Sequence, residues 1–341
     1  MSKLHNPIKS IAPPNDLARY ANEKMILVND SGFDWIPDDS IDAIITDPPF
    51  NIARDTNFHT YEKNTINSYR FDGDKGWDSY SKDDFIAQLH DWSKSFHRVL
   101  RPGGSFAIFC ADEYLSHLIT ALQAAKLKPR RTLTWYKPNA VPINRSVMMM
   151  SACEYVVLGV KGSKSTFNAN IRAGDQLLRS EVESTLLTDK AVNVLTQILR
   201  QTLKEEAGNP NSTPREMAAI VENVVRNAAP EIGKRIEKMY REDERGPVLE
   251  GCVPNFVQFN SKTGKRRHPT EKPVQLLRYL IALVSNETDL LLDPFAGSSS
   301  LGEAAEAMGR YAILVEKDSE FFAVGSQRII DLERNTLNFS E

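Results

Sequence analysis

Two proline-bearing segments, far apart in the chain, each close a short apolar run, and this pairing limits the folds open to the sequence. Asp47-Pro48-Pro49-Phe50-Asn51 follows Ile41-Asp-Ala-Ile-Ile-Thr46, and Asp293-Pro294-Phe295-Ala296-Gly297-Ser298 follows the run at residues 290–292. Short apolar runs ended by proline read as buried strands, because proline has no N–H to continue a ladder. In an open α/β sheet the carboxyl ends of strands line the crevice in which ligands bind. Two such segments predict one crevice built from distant parts of the chain.

The remaining pattern alternates strands and helices. Residues 25–28 form an apolar strand followed by Asn29-Asp30. Ser81-Lys-Asp-Asp supplies a helix cap with acidic residues in the first turn. Phe85, Leu89, Trp92, Phe96, Val99 and Leu100 recur behind it at helical spacing. Pro102-Gly103-Gly104 is expected to stop that helix and turn into a strand at 105–110. Further strands are predicted at 132–136, 154–160 and 312–315, and a helix at 301–308 before Gly309. Such alternation defines the α/β class, a doubly wound, mostly parallel sheet with helices on both faces. Residues 1–20, with Pro13-Pro14, read as a loose arm. Residues 52–79 read as a polar loop, far longer than the usual connection of about 4–6 residues and therefore of the functional kind.

From residue 161 to 250 the pattern breaks. This stretch is polar, poor in aromatics and helical in period at 191–203 and 215–225, with 14 basic and 14 acidic residues. The predicted organisation is a first half of the sheet domain at 1–162, a largely helical insertion at 163–255 and a second half at 256–341. The length of 341 residues suits one large domain with an insertion, or two domains, at a prior of roughly 150 residues each. The 41% hydrophobic and 26% charged composition is that of an ordinary globular chain. No apolar stretch approaches the roughly 20 residues that span a bilayer, and the N-terminus lacks the apolar region of a signal peptide. A cytoplasmic location is therefore expected. Cys110, Cys153 and Cys252 are scattered without C-x-x-C pairing, which argues against a zinc site or disulfide framework and for small core residues in a reducing compartment. The net charge of −3 means that any nucleic-acid contact must come from local basic patches.

The first segment contains the parts needed to handle an amino group. An exocyclic amino nitrogen of adenine or cytosine is a weak nucleophile, since its lone pair is delocalised into the ring. A carboxylate and a carbonyl, each accepting one N–H, draw that nitrogen toward tetrahedral geometry. Asp47 offers the carboxylate. Pro48 and Pro49 stiffen the backbone, and Pro48 offers the carbonyl. Phe50 offers a face on which an extruded base can stack, a contact worth about 1–3 kcal/mol. The second segment has neither G-x-G-x-x-G nor G-K-[ST], which excludes a nicotinamide fingerprint and a phosphate loop. Gly297 permits a tight turn and close ligand approach. Glu316, at the end of the next strand and roughly 20 residues on, suits ribose hydroxyls.

Together these residues resemble the β class of S-adenosylmethionine-dependent DNA amino-methyltransferases, the N6-adenine/N4-cytosine family, in which D-P-P-[YF] precedes F-x-G. The resemblance covers nearly the whole chain. It includes Trp77-Asp78, residues 98–105 (R-V-L-R-P-G-G-S), residues 135–139 (W-Y-K-P-N) with Arg145 and Cys153-Glu154-Tyr155, and residues 268–273 (H-P-T-E-K-P). It implies a Rossmann-like methyltransferase sheet with Asp47, Pro48, Pro49 and Phe50 as catalytic residues. It implies that Asp30, Asp47, Glu316 and Lys317 contact the cofactor. The segment with His268, Thr270, Lys272 and Pro273, and the turn with Asp293, Phe295, Ala296, Gly297, Ser298 and Ser299, would do the same. No metal is implied. The acceptor would be a flipped-out base in double-stranded DNA. Phosphates would meet Lys262, Lys265, Arg266 and Arg267, with Arg145; a second basic group is Lys126, Lys128, Arg130 and Arg131. The 163–255 insertion stands where the family reads its target sequence, and equally where it could dimerise; a homodimer is consistent with the resemblance. The implied activity is site-specific N6-adenine methylation. N4-cytosine methylation is the alternative, although serine is frequent at the Asp47 position in that group, and a non-catalytic DNA-binding protein of the same fold is a further one. Three departures stand out: Phe50 in place of the commoner tyrosine, Ser298-Ser299-Ser300 in place of Ser-Gly-Thr, and Asn29-Asp30 in place of Gly-Asp.

Overall fold

A computed structural model describes residues 6–51, 57–62, 65–70, 80–140, 151–163, 165–168, 255–261 and 271–338. The chain divides into two compact units, Met1–Ile171 with Val253–Glu341, and Arg172–Cys252; every described residue belongs to the first. The helices expected at 191–203 and 215–225 lie outside the described residues.

The described elements are β1 (Arg19–Ala21), β2 (Met25–Asn29), β3 (Ile41–Thr46), β4 (Asn57–Glu62), β5 (Thr65–Arg70), α1 (Lys82–Val99), β6 (Leu100–Cys110), α2 (Leu115–Ala124), β7 (Leu127–Tyr136) and β8 (Cys153–Lys161). After the second unit come β9 (Phe256–Gln258), α3 (Val274–Val284), β10 (Leu290–Asp293), α4 (Ser300–Ala307), β11 (Tyr311–Glu316) and α5 (Ser319–Asn338). Nine strands form one sheet in the order β1-β2-β11-β10-β3-β6-β8-β7-β9. The strands from β2 to β6 in this order run parallel, and β8 enters antiparallel to both β6 and β7. This is the doubly wound, mostly parallel α/β sheet that the alternation predicts.

Successive side chains on a strand point to opposite faces, so each central strand feeds two cores. Ile26, Val28, Ile44, Phe106, Ile108, Leu292 and Ile313 join Phe85, Leu89 and Phe96 of α1 and Leu118 and Leu122 of α2 in one buried cluster. The alternate residues Met25, Leu27, Ile45, Leu291 and Leu314 are also fully buried. Gly302 of α4 approaches them so closely that a Cβ there would lie 2.8 Å from Leu314 Cδ1 and 3.1 Å from Met25 Sδ. Helix α3 is buried at every position from Leu276 to Val284, as a helix enclosed on all sides must be. Among the described residues, no helix is long and apolar enough to cross a membrane.

Winding reverses between β3 and β10. From β3 the chain passes through α1 to β6 on one side; from β10 it passes through α4 to β11 on the other. The two strands are paired in parallel, with Leu291 beside Ala43 and Leu292 beside Ile44. Such a reversal leaves a crevice beyond the carboxyl ends of the strands, where both motif segments emerge.

Four expectations change. Residues 6–21 are not a loose arm: a 3-10 turn at Pro7–Ser10 buries Ile8 and Ile11, and β1 pairs with β2. Each buried isoleucine contributes roughly 1.5–3 kcal/mol, enough to hold the segment down. Tyr20 Oη, on β1, donates to Glu333 Oε2 of α5 at 2.6 Å. Helix α1 ends before Pro102, with Leu100 as its C-cap, and Pro102-Gly103-Gly104 lies inside β6, where an irregularity between Ile41 and Ala43 absorbs the missing ladder bonds. The stretch read as one long loop contains the antiparallel pair β4–β5, with Phe58 opposite Tyr69 and Tyr61 opposite Ile66. Strand β7 begins at Leu127, so Lys128, Arg130 and Arg131 lie on the strand; Lys126 immediately precedes it.

Candidate active site

A cavity of about 600 Å³ opens at the reversal point. Asp47, Pro48, Pro49 and Phe50 line it from the end of β3, and Asp293, Phe295, Ala296, Gly297 and Ser298 from the end of β10. Asp30, Lys272, Glu316 and Lys317 complete the expected lining residues that are present. Pro273 and Ser299 do not line it. Pro273 is buried as the N-cap of α3, and the Ser299 side chain is turned toward Gly325 of α5, where a Cβ on the glycine would lie 2.3 Å from Ser299 Oγ. His268, Thr270, Arg145, Lys262, Lys265, Arg266 and Arg267 lie outside the described residues, as does Cys252.

The two motif segments are joined directly. Thr46 Oγ1 donates to Asp293 Oδ1 at 2.7 Å, and the Phe295 N–H donates to the same oxygen at 3.1 Å. Burial, beyond what these bonds offset, pushes Asp293 up to about 7, with the carboxylates of Asp47 and Glu316 adding to it. Beyond Phe50 the chain is pinned by Asn51, fully buried in the left-handed region at φ 55°, which asparagine tolerates. Asn51 Nδ2 donates to Tyr114 Oη at 3.1 Å and Oδ1 accepts the Tyr80 N–H at 2.8 Å.

A chain of alternating charge meets the first segment. Lys272 Nζ lies 2.5 Å from Asp47 Oδ2 and 3.3 Å from Glu154 Oε2, and Lys137 Nζ lies 3.0 Å from Glu154 Oε1. The Lys272 ammonium also sits over the Phe50 and Phe109 rings, 5.0 and 5.2 Å from their centroids. Burial pulls the Lys272 pKa down, but the carboxylates of Asp47 and Glu154 outweigh it and hold the ammonium above its usual value. Burial pushes Glu154 up, and the ammonium groups of Lys272 and Lys137 more than reverse this. The Lys272 ammonium, expected at the cofactor, is thus engaged by Asp47 and Phe50 of the first segment.

The second segment is a tight turn with Gly297 at φ 51°. Glu316 Oε2 accepts the Gly297 N–H at 2.7 Å and Oε1 accepts the Asp318 N–H at 2.8 Å, so the carboxylate braces the turn from β11. Phe295 meets Trp92 of α1 edge-on, with ring centroids 4.8 Å apart. Arg328 of α5, 3% exposed, clamps the turn from behind. Its Nη1 donates to Glu271 Oε1 at 2.8 Å, Ser298 O at 3.1 Å and Ser300 Oγ at 3.0 Å, and its Nε to Glu303 Oε2 at 2.6 Å. Sequence reasoning missed Arg328, and an isolated arginine within a polar helix carries no signal that could have found it. It also read Trp92 only as core.

Ser299 adopts φ 58°, ψ 35°, the conformation for which a glycine is suited, and its buried Oγ has no hydrogen-bond partner among the described residues. A left-handed residue with a Cβ costs about 1–2 kcal/mol, and a buried unpaired hydroxyl adds to that. Ser299→Gly should therefore stabilise the protein by about 1 kcal/mol, read as a higher urea midpoint; a lower midpoint would disprove the strain.

The family model N6_N4_Mtase, described as DNA methylase, matches residues 41–327, and the chain belongs to that family. Among its relatives, the DNA adenine methyltransferase YhdJ of Escherichia coli K12 is 27% identical over 316 residues, covering 91% of this chain and 84% of YhdJ. The type II methyltransferase M.HpaI of Haemophilus parainfluenzae is 23% identical over 296 residues, 86% and 69% of the two chains. The PvuII DNA methyltransferase, cytosine-N4-specific, shares the fold at a TM-score of 0.53 and 14% identity, over 92% of this chain and 93% of that one.

Proposed function

We propose that this DNA methylase is a site-specific methyltransferase acting on N6 of adenine in a base flipped out of double-stranded DNA, with S-adenosylmethionine as methyl donor. The observation that carries the reading is the convergence of Asp47 and the Gly297–Glu316 turn on one cavity from adjacent parallel strands. The cavity suits the cofactor. Its volume lies within the usual range of about 300–1,000 Å³ for small-molecule sites. The carboxyl groups of Asp30, Asp47, Asp293 and Glu316 line it, matching a ligand that carries both an ammonium and a sulfonium. Each Glu316 oxygen accepts one backbone N–H, and a carboxylate oxygen has a second lone pair for a ribose hydroxyl.

When bound, the cofactor supplies a methyl group already activated by the sulfonium. The protein's part is positioning. Asp47 accepts one N–H of the target amino group, the Pro48 carbonyl accepts the other, and Phe50 stacks on the base. Asp47 and the 27% likeness to an adenine methyltransferase favour adenine over cytosine. Residues 163–255 read the target sequence in this scheme, with Lys262, Lys265, Arg266, Arg267 and Arg145 on phosphates. A homodimer is consistent with the same reading, and the 163–255 segment could equally serve it.

The test is methylation of unmodified duplex DNA with labelled S-adenosylmethionine, followed by digestion to nucleosides. Label in N6-methyladenine supports the proposal. Label in N4-methylcytosine keeps the mechanism and changes the base, whereas cofactor binding without label in DNA points to a non-catalytic binder.

A further inference from the structure

We infer that Lys272, anchored by Glu154, is a positioning residue for methyl transfer: its ammonium keeps the Asp47 carboxylate charged and oriented for the amino group of the target base. This rests on the proposed role of Asp47 as N–H acceptor. Four separate elements bring the parts together: the segment after β3 (Asp47), the segment before α3 (Lys272), β8 (Glu154) and the residue after β7 (Lys137). The side chains are 20%, 7%, 20% and 14% exposed in that order, so water screens the pairs little. With two carboxylates and two ammonium groups the set is neutral, the condition under which buried charge is tolerated.

Asp293 shows what happens in the same cavity to a carboxyl group whose hydrogen-bond partners are neutral. Held by Thr46 Oγ1 and the Phe295 N–H, it is pushed by burial up to about 7 and is therefore partly protonated near neutrality. A protonated carboxyl loses an acceptor position, which an N–H acceptor cannot afford. Asp47 differs in having a cation at 2.5 Å. Their attraction is mutual, and the same contact that holds Lys272 protonated favours the charged form of Asp47. Lys272 is thus unsuited to take a proton from the amino group and acts through Asp47. Glu154 gives the ammonium a second carboxylate, so that Lys272 stays seated when Asp47 engages the base.

Two further ionisable groups that interact with Asp47 bring it no positive charge. Asp293 repels it, and Cys110, pushed by burial up to about 12, stays a neutral thiol. Lys137 reaches it only through Glu154. Removing the Lys272 charge takes away the cation at 2.5 Å from Asp47 and keeps the repulsion from Asp293. The sign is definite: a carboxylate deprived of its cation holds its proton to higher pH, so the acid limb of the rate profile must move up.

The experiment is single-turnover methyl transfer between about pH 5 and pH 9 by wild type, Lys272→Met, Lys272→Arg and Glu154→Gln. Lys272→Met should lower the rate at neutral pH by roughly tenfold or more, with its acid limb raised by about one pH unit and the loss shrinking as pH rises. Lys272→Arg should keep the limb low. Glu154→Gln removes a negative charge and should not raise it. Loss by Lys272→Met that is uniform across pH would mean a purely structural role and overturn the inference. A second readout needs neither turnover nor a folded Lys272→Met: the 13C carboxyl titration of wild-type Asp47, assigned by its disappearance in Asp47→Asn. Asp47 should titrate well below Asp293, and titration at or above Asp293 would equally overturn it. Wild type that methylates no DNA would defeat the functional reading, and this titration would still decide the role of Lys272.

Discussion

Asp47→Ala should lower the single-turnover rate of methyl transfer by at least about a thousandfold while changing cofactor affinity little. Removing one preorganised group that acts on the reacting centre commonly costs about 10²–10³. Here the carboxylate also balances the Lys272 ammonium at 2.5 Å, so its removal leaves that charge on Glu154 alone. In the proposed scheme cofactor binding draws on further groups that line the cavity, including Asp30 and Glu316, and calorimetry on the variant should show it nearly intact. Asp47→Asn preserves the shape and one oxygen acceptor while losing the charge, and should fall between alanine and wild type. A rate for Asp47→Ala within tenfold of wild type would remove Asp47 from the catalytic role.

Arg328→Leu should destabilise the fold by about 3–5 kcal/mol, the usual cost of removing one partner from a buried pair. Arg328 is 3% exposed, and the Glu271 side chain it meets at 2.8 Å is 0% exposed. Leucine fills comparable space but leaves the Glu271 carboxylate buried among groups that were arranged around a cation. The same change frees Ser298 and Ser300, so cofactor affinity should fall together with the urea midpoint. Arg328→Leu combined with Glu271→Leu should recover much of the stability, since removing both members of a buried pair costs far less than breaking it. A single variant within 1 kcal/mol of wild type, roughly the value of an exposed ion pair, would show that the clamp is not structural.

The features legible in the sequence share a physical property: their signal is local. The strands before Asp47 and Asp293 are apolar runs ended by proline, and α1 is announced by Ser81, whose Oγ accepts the Asp84 N–H at 3.1 Å. The turn at Gly297 was legible because a glycine and a strand-end glutamate, separated by 19 positions, meet across one αβ unit. Other features depend on partners that proximity in sequence does not reveal. Lys272 lies 225 positions from Asp47, and Arg328 lies 57 from Glu271. A charged residue in a polar stretch ordinarily faces water, and only the folded chain distinguishes these two. The hairpin β4–β5 was hidden for a related reason, its strands being too polar for an apolar run to mark them. Pro102-Gly103-Gly104 misled because such a triplet usually ends structure, whereas a register shift within the β3–β6 ladder accommodates it.

The pairing of β3 with β10 has a consequence for how freely this chain can be rearranged. The two site-forming loops are neighbours because of a ladder between strands, and the connecting polypeptide is not what aligns them. The first strand is meanwhile fastened to the last helix through Tyr20 and Glu333. A gene rewired to join the chain near those residues and begin it in the second unit would swap the order of the two motifs along the polypeptide. Their positions around the cavity would be unchanged, so motif order records the history of the gene and leaves the chemistry indifferent to it.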